Sequence, residues 1–140
     1  MTLPTSVYSV SLEESLRLLH LCEGSAASRG LSMTFAVVDP SGLPVALHRM
    51  DGATPISVEL ALKKARTSAL FRRPTHQVFE LVQPGGRLFG LFYEELCPFG
   101  GGFPLEISGQ TVGALGVSGG TVAQDVEVGL EAISLWLSKA

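Results

Sequence analysis

Two glycine-rich segments carry much of the chemistry that residue type and spacing allow here. Ser118-Gly119-Gly120-Thr121 stands directly before a helical pattern. The first-turn N–H groups of a helix lack internal partners, and its dipole favours an anion. Gly119 and Gly120 would let a ligand approach the backbone, with hydroxyl donors from Ser118 and Thr121. The plainer alternative is a strand-to-helix turn that needs positive φ and is capped by Thr121. In Pro98-Phe99-Gly100-Gly101-Gly102-Phe103-Pro104, ordering three glycines costs entropy. Gly101 and Gly102 therefore read as a place of close approach by a ligand or another chain, or else as a tight bend. Between a strand pattern and a helix pattern lies His48-Arg49-Met50-Asp51. Arg49 suits bidentate capture of a carboxylate, and Asp51 suits a general base or a group that orients a cation. A structural ion pair or a turn cap is the alternative for both.

Other templates are missing. Neither glycine cluster has the GK[ST] ending of a phosphate loop or the GxGxxG spacing of a dinucleotide site. No GxSxG or HExxH occurs. Cys22 and Cys97 make no CxxC or Cys/His cluster of zinc spacing, so both are expected as free thiols. His20 falls among helical leucines, His48 lies beside Arg49 and His76 opens a short helix; a lone histidine in such places is more often structural or solvent-exposed than ligating.

The elements that must position these groups follow from local patterns. Ser11 and Glu14 stand at capping-box spacing before Leu12, Leu16, Leu19 and Leu21, which predicts a helix over 11–28 stopped by Gly30. Two β-rich runs around Asp39-Pro40-Ser41-Gly42 predict a hairpin. Thr54-Pro55 opens a helix to Phe71 whose stripe of Val58, Ala61, Leu62, Ala65 and Ala69 suits close packing on a sheet. A short helix follows Pro74 and is broken at Pro84-Gly85-Gly86. Strands are expected near 88–93, 103–107 and 111–117, with a turn at Ser108-Gly109-Gln110. The last helix starts after Thr121, with Gln124 at capping-box spacing, and its expected apolar face is Val126, Leu130, Ile133 and Leu137. Hairpins with helices grouped between them indicate an α+β fold rather than a doubly wound parallel sheet.

Composition bounds the function. A chain of 140 residues, 46% apolar and 16% charged, is expected to fold as one domain over 1–140, without metal or disulfide staples. So little charge hints that a neighbouring subunit covers part of the surface. The net charge of −3 argues against nucleic acid as a partner. With no basic, apolar leader and no membrane-length apolar run, the expected location is cytoplasmic, with no membrane partner.

The blocks "FAVVDPSGLPVALHRMDGA", "KKARTSALF", "QPGGRLFGL", "PFGGGFPL" and "VGALGVSGGTVAQD" occur in an order that closely resembles the GlcG/HbpS family, the haem-degrading domain family that includes the C-terminal domain of PduO proteins. The resemblance covers roughly residues 9–135. It implies a profilin-like three-layer α/β/α fold with a central antiparallel sheet, and homo-oligomers, octamers among them. It also implies a small-molecule ligand, with haem or a related tetrapyrrole leading. Lys64, inside a matching block, then becomes a candidate charge or acid for the pocket of Arg49 and Asp51, though most helical lysines face solvent. His20, His48, His76 and Cys97 become alternative iron ligands; no CxxCH is present, so covalent attachment is not expected. Two other readings stand beside haem binding. One is a cofactor-independent isomerase, hydratase or lyase acting on a small carboxylate or carbonyl compound, with Arg49, Asp51 and Lys64 as its catalytic groups. The other is a non-catalytic assembly subunit.

Overall fold

A computed structural model describes residues 1–91 and 94–138. In chain order the elements are α1 (Leu12–Ser28), β1 (Thr34–Val38), β2 (Pro44–Arg49), α2 (Pro55–Phe71), α3 (Thr75–Val82), β3 (Gly102–Ile107), β4 (Gln110–Ser118) and α4 (Val122–Leu137). The four strands form one antiparallel sheet in the order β2-β1-β4-β3.

Local chemistry explains most element ends. The Ser11 hydroxyl accepts the Glu14 N–H at 3.1 Å and starts α1. The helix stops in a Schellman arrangement: Gly30, at φ +68°, donates to the Ala27 carbonyl, and Leu31 donates to that of Ala26. The Thr54 hydroxyl makes no cap bond; instead the N–H and hydroxyl of Ser57 both return to the Thr54 carbonyl. In the β1–β2 hairpin, Asp39 Oδ1 accepts the N–H groups of Ser41 and Leu43 at 2.8 and 3.0 Å. The β3–β4 hairpin turns at Ser108 and Gly109, with φ of +51° and +77°, the signs that a type I′ turn requires.

Two helix layers cover the sheet. Ala61, Ala65 and Ala69 of α2 lie on Ala36, Val38 and Ala114. The approach is so close that a Cβ at Gly116 would run into the Ala61 carbonyl, so this strand glycine is required by the helix backbone above it. On the other face, α1 and α4 bury Leu18, Leu19, Val128 and Trp136 against Phe35, Val37, Leu115 and Val117. This is the three-layer α/β/α arrangement with a central antiparallel sheet.

Two expectations change. The strand near 88–93 is absent over its described part: the Leu88 N–H goes to the Leu81 carbonyl and that of Leu91 to Leu88, so both amides serve turns rather than a ladder. Residues 92–93 lie outside the described residues. In α4 the buried positions are Asp125, Val128, Gly129, Ala132 and Trp136, while Leu130 and Leu137 are exposed. Gly129 decides this, because Phe103 packs directly over its bare Cα.

Candidate ligand-binding site

From the middle of α2, the side chain of Lys64 reaches the first turn of α4. Lys64 lies on the same stripe as Ala61 and Ala65, so its side chain enters the protein rather than solvent. Its amine donates to Asp125 Oδ2 at 2.7 Å and to the Val117 carbonyl at 3.1 Å. Asp125 Oδ1 accepts the Gly120 N–H at 2.9 Å. Burial raises the Asp125 carboxyl above its ordinary value, while Lys64 and the Gly120 amide pull it the other way.

Both glycine turns close on this pair. At Gly101, φ is +123°, and an added Cβ would lie 3.0 Å from Lys64 Nζ and 3.1 Å from Asp125 Cβ. The Gly102 N–H donates to the buried Thr75 hydroxyl at 2.8 Å. Gly119, at φ +131°, passes over the Met33 backbone. Thr121 is a cap: its hydroxyl accepts the Gln124 N–H, and the Gln124 side chain accepts the Thr121 N–H. Ser118 is buried and stands in register with Thr34, whose hydroxyl meets that of Ser57 at 2.8 Å.

Arg49 is in register with the other side of Thr34, so Arg49, Thr34 and Ser118 share one row at one end of the sheet. Arg49 is exposed at the end of an edge strand, and Asp51 is exposed in the turn that follows. Among the described residues neither side chain makes a hydrogen bond or an ion pair, and neither meets Lys64.

The histidines separate. His48 lies on the sheet face opposite Arg49, under α1, where its Nδ1 meets Glu23 Oε1 at 2.5 Å. His20 Nδ1 stands 3.5 Å from Glu23 Oε2, and the two imidazoles meet edge to face at 5.5 Å between centroids. His20 remains open, with 69% of its side chain exposed. One turn along α1, Gly24 has nothing within 4 Å of the place a Cβ would take. His76 is exposed on α3 beside Gly100. Cys97 is buried, its N–H bonded to Thr67 Oγ1 at 2.8 Å.

A groove of about 700 Å³ lies at the far end of the β3–β4 ladder, between Tyr8, Val10, Ile107 and Trp136. It shares no residue with the Lys64 cluster. Asp125, Thr75 and Glu23 are absent from the sequence-level candidates. A signal for Asp125 existed: a lysine on an alanine stripe needs a buried carboxylate, and Asp125 is the acid in the first turn of α4.

Residues 10–134 match a family model described as haem-degrading protein HbpS-like. A 15.0 kDa protein encoded between dhaT and dhaS in Citrobacter freundii is 36% identical over 122 residues, covering 85% of this chain and 86% of its own. The corrinoid adenosyltransferase PduO of the same organism is 35% identical over 129 residues, which cover 90% of this chain but span only 38% of the relative. Among solved structures, a PduOC:haem complex superposes with a TM-score of 0.86 at 33% identity, covering 90% of this chain and 94% of the other.

Proposed function

Because the chain belongs to the HbpS-like family of haem-degrading proteins, we propose that it binds haem or a related tetrapyrrole, with His20 facing the iron. The observation that carries this reading is the exposed His20 ring beside the open surface at Gly24, backed by Glu23. A ligating imidazole usually has its second nitrogen held by a carboxylate, which orients the ring and raises its basicity. Glu23 faces His20 Nδ1, leaving Nε2 for iron. The bare helix surface at Gly24 leaves room for a flat macrocycle. Bound haem would supply an iron that changes oxidation state, tuned by its axial ligand and surroundings.

In this reading the Lys64–Asp125 pair is a positioning strut. Two of the three ammonium donors are used and Gly101 closes over them, so the pair holds the glycine turns to α2 and α4. The enzyme reading gathers Arg49, Asp51 and Lys64 in one pocket; Arg49 and Asp51 are exposed at and just after the end of β2 and Lys64 is buried against β4, which favours haem binding. The reading also includes a homo-oligomer, supported by the exposed Val122, Leu130 and Leu135 along α4, and a cytoplasmic location, supported by two unpaired cysteines.

The test is a haem titration of untagged protein followed by absorbance. A stoichiometric Soret band is expected in the parent, in His76→Ala and in Cys97→Ser, with loss of the band in His20→Ala. An unchanged band in His20→Ala removes His20 from the site.

A further inference from the structure

Glu23 stands between two imidazoles. His20 and Glu23 project from α1 three residues apart, and His48 reaches them from the edge strand β2. One ligand atom from each of the three can be chosen so that all lie within 4.8 Å of one another. We propose that His20, Glu23 and His48 form a binding site for a divalent transition-metal ion, which shares His20 and Glu23 with the haem reading and loads in the absence of haem.

The donor set selects the class of ion. Two imidazole nitrogens and one carboxylate oxygen suit zinc, copper, nickel or ferrous iron, whereas calcium and magnesium prefer all-oxygen shells. Bonds of about 2.0–2.2 Å to such an ion place neighbouring ligand atoms roughly 3–3.6 Å apart by simple tetrahedral or octahedral geometry. The His20 Nδ1–Glu23 separation of 3.5 Å is already in that range. His48 Nδ1 and Glu23 are closer, at 2.5 Å, because they share a proton. An ion entering there replaces that proton, which leaves to solvent, and the two side chains part by about an ångström to admit it. The ligands come from a helix and a strand joined through the core, so rotations of the side chains suffice and the backbone need not move. The open side of His20 leaves coordination positions for water or a small anionic ligand, as in sites with three protein ligands.

The site does not depend on the haem reading, and the experiment uses haem-free, untagged full chain so that the two fail independently. Zn2+ is titrated in competition with a coloured chelator, with far-ultraviolet circular dichroism on every variant. One ion per chain is expected, with affinity falling roughly tenfold or more in each of His20→Ala, Glu23→Gln and His48→Gln, and unchanged in His76→Ala. His20 is exposed, so its variant retains the fold and carries the test if His48→Gln does not. Binding that survives His20→Ala and Glu23→Gln, or that falls equally in His76→Ala, overturns the proposal.

Discussion

Lys64 and Asp125, 61 residues apart in sequence, meet at 2.7 Å with only 4% of either side chain exposed. The contact ties α2 to the first turn of α4, and through the Val117 carbonyl and the Gly120 amide it also ties both to the end of β4. Three elements, α2, β4 and α4, are thus held by two charged groups. Removing one partner leaves the other charged and under-bonded in the interior, which is costlier than removing both.

Lys64→Met and Asp125→Leu, each alone, should therefore destabilise the protein by about 3–5 kcal/mol. The double variant should recover part of that loss. Urea unfolding monitored by Trp136 fluorescence measures all three. Single losses below about 1 kcal/mol, the range of exposed pairs, would remove the pair from the role of strut.

The pH dependence of stability carries the sign of the Asp125 shift. Its carboxyl is raised in the folded protein, chiefly by burial, above the unfolded value of 3.8. Below 3.8 it is protonated in both states, and its favourable contribution is fully present. As pH climbs from 3.8 through the raised folded value, the unfolded chain releases the proton more readily, and that contribution is lost. Stability measured from pH 3 to 7 should therefore contain a component that declines with rising pH and disappears in Asp125→Asn. A component of opposite slope would mean that Lys64 and the Gly120 amide outweigh burial.

Gly24 separates folding from binding. It is exposed inside α1 with open space over its Cα, so Gly24→Ala should stabilise the helix by about 1 kcal/mol through helix propensity alone. Gly24→Leu should fold as well as the parent yet obstruct a macrocycle over His20. Overpacking costs roughly 1–3 kcal/mol, a loss in haem affinity of about tenfold or more. Thermal melts and haem titration on the same samples read the two effects, and equal haem affinity in Gly24→Leu places the macrocycle elsewhere.

Residues close in sequence settle much of this fold. Ser11 and Thr121 start helices with their own hydroxyls, Gly30 ends one, Asp39 closes a hairpin, and the spacing of Ala61, Ala65 and Ala69 marks the helix face that lies on the sheet. Each is legible because the interacting groups lie within about one or two turns of each other, and their geometry follows from backbone periodicity. The buried face of α4 is not legible in this way, for the complementary reason. Val126, Leu130, Ile133 and Leu137 are apolar at helical spacing, but so are Val128, Ala132 and Trp136, and periodicity alone does not choose between two apolar faces. Phe103 on the neighbouring strand chooses, by needing the bare Cα of Gly129. The functional groups follow the same division. Ordered glycine and lysine blocks carry the family, and with it the expectation of a tetrapyrrole. That Lys64 finds Asp125, that Arg49 remains apart from it, and that His48 arrives under His20 and Glu23 depend on which strands pair and which helix lies on which face. Those are choices between distant segments, made by the burial of the whole core, and only the tertiary structure expresses them.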